Sequence, residues 1–262
     1  MPGTFARSLR EALSHPLTRG RQLDSPRTTE LRRRVIRGKP GLSAIYADWY
    51  RMLAKRIPAG AGAILELGAG AGFLERFVPA AITSEILPIR GVDLVCDGCA
   101  LPFAAGSLRA IVLVDVLHHI PDCERFFASA SACLRPGGRL LMIEPWATPL
   151  SRQVYRRLHH EPFITDAREW RFPSSGPLSS ANGGLPWMIF ARDRERFGAS
   201  FPSLRLREVA PLMPFRYLLS AGVAMRVGAP AWLDALVRRI EGDSATLRRA
   251  ASMFARLVIE RA

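Results

Sequence analysis

Short apolar runs, each ending in a polar or glycine-rich stretch, recur along the first half of the chain. They lie at residues 63–65, 81–86, 91–95, 108–114 and 140–143. Apolar runs of this length are typical of strands buried on both faces of a parallel sheet. Between the last two runs, residues 126–134 carry apolar side chains at helical spacing behind Asp122, which can cap the helix. The pattern predicts an α/β fold, a parallel sheet with helices on both faces.

The flanking regions have patterns of their own. Apolar residues at helical spacing predict helices at 28–37, 42–57, 148–160 and around 233–240. Residues 204–209 and 215–219 are predicted as a sixth strand and its continuation, and 255–260 as the final strand. Pro, Gly and Ser dominate the stretch from 161 to 186, which predicts an irregular insertion. The predicted parts are a basic helical segment (1–58), a strand-rich core (59–147), an insertion (148–202) and the rest of the sheet (203–262).

Composition adds a strong positive charge to this picture. The chain has 262 residues, 48% of them hydrophobic, and a formal net charge of +14. This length suits one α/β domain with an accessory segment. Arginine supplies almost all of the positive charge, and three arginines follow one another at Arg32, Arg33 and Arg34. This run is either a solvated helix face or a landing patch for an anionic partner: nucleic acid, an acidic membrane surface or an acidic substrate.

Targeting and metal signals are weak. The N-terminal residues include charges and no apolar core, so no signal peptide is predicted. The longest uncharged apolar run, 217–225, is shorter than the ~20 residues that span a bilayer, and we expect a soluble cytoplasmic protein. Cys96 and Cys99 form a C-x-x-C pair without a second pair, so we expect reduced cysteines and no metal site.

The stretch 63–73, AILELGAGAGF, is the strongest candidate for a ligand site. Glu66 ends the apolar run, and Gly68, Gly70 and Gly72 follow at every second position. Glycines allow a tight turn and let a ligand lie directly against the backbone. A helix starting within 73–78 would point free N–H groups at the same ligand. Because neither G-x-G-x-x-G nor Gly-Lys-Ser/Thr is present, we expect a nucleoside-type cofactor without phosphates.

Acidic residues follow three of the predicted strands. Glu85, near the end of the second strand, can accept hydrogen bonds from two ribose hydroxyls. Asp97 follows the third strand and can accept from an adenine amine, with Asp93 as the alternative. Asp115 follows the fourth strand and leads into Leu-His-His-Ile-Pro-Asp. The carboxyl ends of these strands are therefore predicted to surround the cofactor.

Taken in order, these segments resemble the class I S-adenosylmethionine-dependent methyltransferases that act on small molecules, close to those of quinone biosynthesis. The resemblance rests on LELGAGAGF, Glu85, CDGCALPF, VLVDVLHHIPD and LRPGGRLLMIEPW, over roughly residues 60–147. It implies a Rossmann-like, doubly wound, seven-stranded sheet with an antiparallel strand near the end, and S-adenosylmethionine as cofactor. The helix that usually joins the second and third strands is missing or reduced to a turn. The implied cofactor residues are Glu66, Gly68, Ala69, Gly70, Gly72, Glu85, Asp97, Gly98 and Asp115.

The same resemblance suggests where the acceptor binds. LHHIPD is similar to the L-H-D-W-x-D stretch of small-molecule O-methyltransferases, which implies that His118 is the general base; His119 stands where that family has Asp. Alternatively, both imidazoles bond to the backbone and only shape the pocket. We interpret the insertion as a substrate lid rather than a disordered loop. Its candidate substrate contacts are Tyr155, His159, Trp170 and Trp187.

Three functions are compatible with the sequence. The leading hypothesis is methyl transfer to a small, hydroxylated aromatic or lipid-like metabolite. The second is an RNA methyltransferase, suggested by the charge of +14, although no Asn-Pro-Pro-Tyr-type loop follows the fourth strand. The third is a repurposed member of the fold that binds the cofactor without transferring its methyl group. Peripheral contact with a membrane is compatible with the first hypothesis.

Overall fold

One seven-stranded sheet organises the part of the chain that the computed structural model describes, residues 15–159, 161–226, 228 and 231–262. The strand order is β3-β2-β1-β4-β5-β7-β6. The first five strands are mutually parallel, whereas β7 runs antiparallel to β5 and to β6. The strands are β1 (Ala63–Leu67), β2 (Ala81–Glu85), β3 (Leu94–Val95), β4 (Leu108–Val114), β5 (Leu134–Pro145), β6 (Leu204–Leu212) and β7 (Phe254–Arg261). The predicted fold class is confirmed.

Helices cover both faces of the sheet. The α-helices of the described residues are α1 (Pro26–Gly38), α2 (Pro40–Ala54), α3 (Cys123–Cys133), α4 (Pro149–Leu158), α5 (Leu185–Trp187), α6 (Arg194–Ser200), α7 (Arg216–Ser220), α8 (Ala231–Asp243) and α9 (Ala245–Ala251). A π-helical turn, Met188–Arg192, follows α5. None of these helices is long and apolar enough to cross a membrane. Residues 1–14 and 160, which belong to two of the predicted helical segments, lie outside the described residues.

Both faces of the central strands are buried, as the apolar runs predicted. On β4, Ile111 and Leu113 belong to one apolar cluster, and Ala110 and Val112 belong to the other. Successive side chains of a strand point to opposite faces, so an unbroken apolar run fills two cores at once. Asp122 caps α3 by accepting a hydrogen bond from the Arg125 amide at 3.0 Å.

Two predicted elements are wrong. No α-helix starts within 73–78; the chain forms 3₁₀ turns at Ala69–Ala71 and Leu74–Arg76. Pro79 and the start of β2 follow too soon for a longer helix to form and return. Residues 215–219 do not continue β6 but enter helix α7. The Glu241 carboxylate accepts the free amides of Phe215 and Arg216 at 2.5 and 2.7 Å, which stabilises the start of α7.

The N-terminal helices bring arginine against the glycine stretch. The three consecutive arginines on α1 face different surroundings, so they do not form one patch. Arg33 Nε donates to the Gly70 carbonyl at 2.8 Å and its Nη1 to the Arg90 carbonyl at 3.2 Å. Arg32 lines the large cavity described below, and Arg34 is exposed. Part of the arginine run therefore holds α1 over the glycine loop.

Candidate active site

A cavity of about 1710 Å³ lies where β1, β2 and β4 end. It is bounded by these strand ends, by α1 and α4, and by residues from 174–178 and 217–225. Ligands of open α/β sheets bind at this edge, where the strand order reverses on either side of β1. Six of the residues implied for the cofactor line the cavity: Gly68, Gly72, Glu85, Asp97, Gly98 and Asp115. Glu66, Ala69 and Gly70 lie behind that wall.

Neighbouring side chains leave no room for a Cβ atom at the three glycines of the loop. Gly68 has φ of 75°, in the left-handed region, and a Cβ there would lie 2.5 Å from Val116 Cγ2. A Cβ on Gly70 would overlap the Glu85 carboxylate, and one on Gly72 would overlap the Tyr50 hydroxyl. The tight loop thus brings a tyrosine and two glutamates close to the cavity floor.

Glu66 is buried beneath this loop with an unsatisfied oxygen. Its side chain is almost inaccessible, and its Oε2 has no hydrogen-bond partner among the described residues. Burial raises the pKa of Glu66 to about 8, and the Tyr50 hydroxyl partly opposes this shift. The Thr29 hydroxyl, on α1, is likewise buried without a partner in the described chain, and Thr29 lines the cavity. Buried polar atoms of this kind are normally satisfied by a ligand or water.

Glu85 and Asp97 face the cavity from adjacent strand ends. Glu85 Oε2 accepts from the Gly70 amide at 3.0 Å and Oε1 from the Ile86 amide at 2.8 Å, while burial raises its pKa. Asp97 Oδ1 accepts from the Cys99 amide at 2.8 Å and lines the cavity. Asp93, the alternative to Asp97, instead bonds to the amide and hydroxyl of Thr83 and is not part of the cavity wall. The structure therefore brings Asp97 to the cavity and leaves Asp93 outside.

Asp115 stands at the centre of the cavity in an unusual backbone conformation. Its φ of 63° lies in the left-handed region, which is uncommon for a residue with a Cβ and is typical of functional sites. Burial raises the pKa of Asp115 to about 6. Its Oδ1 is 3.9 Å from His118 Nε2, so it connects the glycine-loop end to the histidines.

His118 is fixed by a buried carboxylate. Its Nδ1 lies 2.8 Å from Glu144 Oε2, and Glu144 Oε1 accepts from the amides of Val116 and Leu117 at 2.9 and 2.7 Å. Burial lowers the pKa of His118, but the carboxylates of Glu144, Glu161 and Asp115 outweigh burial and raise it well above its usual value. The His118 side chain is buried and is not part of the cavity wall. It therefore lies behind the surface that an acceptor would contact, whereas a general base must reach the acceptor directly.

His119 does line the cavity. Its Nδ1 lies 3.1 Å from the Ser180 carbonyl oxygen; since a carbonyl only accepts, Nδ1 carries the hydrogen and Nε2 holds the lone pair. Burial, together with the neighbouring charge of His118, lowers the pKa of His119 to about 3. The centroids of the two imidazole rings are 4.3 Å apart. Their surroundings shift the two pKa values in opposite directions, upwards for His118 and downwards for His119.

The residues of the predicted lid separate into two groups. Tyr155 and His159, on and just after α4, line the cavity, and the Tyr155 hydroxyl donates to the Met253 carbonyl at 2.8 Å. Trp170 is fully buried in the core, where its Nε1 donates to Asp193 at 2.8 Å. Trp187 lies beneath the Arg152 guanidinium, outside the cavity wall. Neither tryptophan is brought to the cavity.

Comparison with known proteins gives a consistent result for the central segment. The family model described as a methyltransferase domain matches residues 65–142. The demethylmenaquinone methyltransferases of two Tropheryma whipplei strains are each 30% identical over 115 residues, which is 37% of this chain and 48% of theirs. The chain therefore spans about half the length of these relatives. Residues 65–142 form a class I S-adenosylmethionine-dependent methyltransferase domain.

A solved structure resembles the fold of this chain over most of its length. It contains the Haloferax volcanii Trm112 methyltransferase activator in complex with a methyltransferase. The match covers 87% of this chain and 93% of that one, with 15% identity and a TM-score of 0.51. At this identity the likeness concerns the fold alone.

The residues of the methyltransferase domain fit S-adenosylmethionine, the cofactor of this family. The unsatisfied oxygen of Glu66 suits a cationic amine, and the absence of lysine after the glycines suits a ligand without phosphates. Glu85 and Asp97 supply carboxylate oxygens at two separate points of the wall, as a ribose and an adenine amine require. The Thr29 hydroxyl, which no sequence pattern indicated, adds a polar group on the side of α1.

Proposed function

We propose that this protein transfers the methyl group of S-adenosylmethionine to a small, hydroxylated aromatic or lipid-like acceptor. The observation that carries the proposal is the shape of the cavity, which extends well beyond the cofactor residues. From the glycine loop it continues past Asp115 into a region lined by Phe163, Tyr217, Leu218 and Phe254. A cavity of about 1710 Å³ has room for a second molecule beside a nucleoside cofactor.

The cofactor end would hold S-adenosylmethionine through named groups. Glu85 would accept from the ribose hydroxyls and Asp97 from the adenine amine. Asp115 would neutralise the cationic methionine end, the unpartnered Oε2 of Glu66 would accept a hydrogen bond from its amine, and glycine-loop amides would bind its carboxylate. When bound, S-adenosylmethionine supplies an electrophilic methyl group for in-line displacement. The protein's part is to hold the acceptor atom in line with that group and to exclude water.

The acceptor end combines apolar walls with one polar cluster. The Tyr155 and Phe163 rings stack at a centroid distance of 4.7 Å, and Tyr217 packs edge-on against Phe254 at 4.6 Å. Such walls favour an aromatic or alkyl acceptor. The polar cluster comprises Asp115, His119 and Glu161, with His118 behind it. We assign the hydrogen bond from the acceptor hydroxyl to this cluster, because Asp115, His119 and Glu161 all line the cavity.

The names of the relatives agree with this acceptor class. The matched Tropheryma whipplei proteins are demethylmenaquinone methyltransferases, and the acceptor that their name gives is a small molecule. The region of 148–202, treated as the substrate lid, supplies Tyr155, His159, Glu161 and Phe163 to the same end of the cavity. We therefore favour an apolar acceptor over a nucleic acid.

Two measurements test the proposal. Calorimetry with S-adenosylmethionine should detect one binding event per chain. Incubation with a panel of quinols, catechols and alkyl phenols should yield S-adenosylhomocysteine above the rate without acceptor. Binding without product for every acceptor would favour the repurposed alternative, and turnover on transfer RNA alone would favour the RNA methyltransferase. Absence of binding would refute the proposal.

A further inference from the structure

Two imidazoles and a carboxylate converge at the acceptor end of the cavity. His118 Nε2 lies 3.6 Å from Glu161 Oε2, and His119 Nε2 lies 3.8 Å from Glu161 Oε1. The ligand atoms of the three residues all lie within 4.8 Å of one another. These separations are too long for hydrogen bonds. They are close to the ~3.4 Å between neighbouring ligands of a tetrahedral ion with bonds of about 2.1 Å.

From this arrangement we infer that His118, His119 and Glu161 bind a divalent transition-metal ion, with Zn²⁺ as the best match. Two imidazole nitrogens and one carboxylate oxygen suit zinc or a neighbouring transition ion better than magnesium, which prefers oxygen alone. Glu161 lies in an irregular segment after α4. A small movement of its side chain can therefore shorten its distances of 3.6 and 3.8 Å from the two imidazoles to the spacing that a tetrahedral ion requires.

The far side of each imidazole is already fixed in the way that metal-binding histidines require. His118 Nδ1 bonds to Glu144, which is itself held by two backbone amides. His119 Nδ1 donates to the Ser180 carbonyl. A metal-binding histidine nearly always donates its second ring N–H to a carboxylate or a carbonyl, which orients the ring and aims the other nitrogen at the ion. Here both Nε2 atoms are directed towards Glu161.

Charge and access favour a cation at this point. The carboxylates of Asp115, Glu144 and Glu161 surround the two imidazoles, and Asp115 Oδ1 is 3.9 Å from His118 Nε2 as a fourth candidate ligand. Asp115, His119 and Glu161 all line the cavity, so one coordination position would face the acceptor. An ion there could bind the acceptor oxygen and promote loss of its proton. That role rests on the proposed function, whereas the metal site itself does not.

The test uses the full chain without a polyhistidine tag, because a tag would bind the same ions. The protein is stripped with a chelator, dialysed and titrated with Co²⁺, followed by visible absorption, and with Zn²⁺, followed by elemental analysis. Glu161→Gln and His119→Ala remove ligands that lie at the cavity wall. Glu169→Gln is the matched control, because Glu169 is exposed in the same segment and its carboxylate lies near Arg196, 3.5 Å away. Circular dichroism and binding of S-adenosylmethionine report whether each variant folds.

We expect close to one equivalent of Zn²⁺ per chain and the intense absorption bands of low-coordinate Co²⁺ in the wild type and in Glu169→Gln. Folded Glu161→Gln and His119→Ala should bind at least about 10-fold more weakly. Wild-type protein that binds no more metal than Glu161→Gln would overturn the inference and leave Glu161 as an ionic partner of the histidines. Because S-adenosylmethionine binding is measured separately, failure of the metal site is distinguishable from failure of the proposed function.

Discussion

The two ends of the cavity are built in different ways. The cofactor end is made by consecutive strand ends and their loops: Glu85 ends β2, whereas Gly68, Gly72 and Asp97 lie in the loops that follow β1 and β3. The acceptor end is assembled from segments far apart in the chain, including His119, Glu161 and Phe254. Parallel strands place their ends together whatever the rest of the chain does. The acceptor end depends on how the insertion and the C-terminal helices pack, so it can diverge while the cofactor end is retained.

This difference can be tested first at the glycine loop, where the largest effect is expected. In Gly72→Ala, the new Cβ would overlap the Tyr50 hydroxyl and crowd Glu66. Overpacking of this kind costs about 1–3 kcal/mol. We expect calorimetry to show S-adenosylmethionine affinity lower by on the order of 100-fold. Gly198→Ala is the control, since its Cβ would meet no atom within 4 Å. Equal affinities for the two variants would contradict the assigned cofactor position.

The buried Glu66 at the cofactor end should make the free energy of unfolding depend on pH. Burial raises the pKa of Glu66 from 4.5 to about 8, so the folded state holds its proton more tightly than the unfolded state. Stability should therefore be highest at low pH and decrease as pH rises from about 4.5 to 8, by up to about 4 kcal/mol. Glu66→Gln should match the wild type near pH 5 and exceed it in melting temperature near pH 8.5. A constant difference across this range would show that Glu66 is not buried as described.

The ribose contact should give a smaller but specific effect. Glu85→Gln keeps the size of the side chain and removes its charge, which weakens hydrogen bonds from two hydroxyls. We expect S-adenosylmethionine affinity to fall by about 10- to 100-fold. The control is Glu75→Gln, because Glu75 forms a surface ion pair with Arg37 at 3.6 Å and is not part of the cavity wall. If S-adenosylmethionine binds both variants equally, Glu85 does not hold the ribose.

At the acceptor end, we expect the smallest effect, and we expect it in the KM for the acceptor rather than in the affinity for S-adenosylmethionine. Leu218 lines the cavity away from the cofactor residues. Leu218→Ala removes apolar contact and should raise the KM for the acceptor by about 10-fold, with S-adenosylmethionine affinity unchanged. Leu236→Ala, at an exposed position outside the cavity, should change neither value. A fall in cofactor affinity in Leu218→Ala would mean that the two ends are not separate.

The same contrast explains how much could be predicted from sequence. The parallel part of the sheet and the positions of Gly68, Glu85 and Asp97 follow from short patterns confined to neighbouring residues, whereas the antiparallel end of the sheet was implied by the family resemblance. The prediction of a helix starting within 73–78 was wrong because it did not take into account how soon Pro79 and β2 follow. The prediction that residues 215–219 continue the sixth strand was wrong because Glu241 stabilises helix α7 there, and a local sequence pattern does not contain this long-range contact.

The acceptor end was harder to predict for the same reason. Glu161 belongs to an irregular segment, and only the packing of that segment against His118 and His119 reveals it. Trp170 was expected at the substrate because it lies in the insertion interpreted as a lid; its burial against Phe197 depends on α6. Glu144 carried a usable signal, since it ends a buried strand as Glu66 does, but its partner His118 lies at the end of another strand.

Hydrogen–deuterium exchange with and without S-adenosylmethionine tests the central assignment most directly. We expect the cofactor to protect amides of the glycine loop, residues 68–72, and of the stretch from 85 to 98. Amides of β6, which lies at the far edge of the sheet, should exchange at unchanged rates. Protection confined to β6 or to α8, or binding with no protection of 68–72, would contradict the assignment of the cofactor to the ends of β1 and β2.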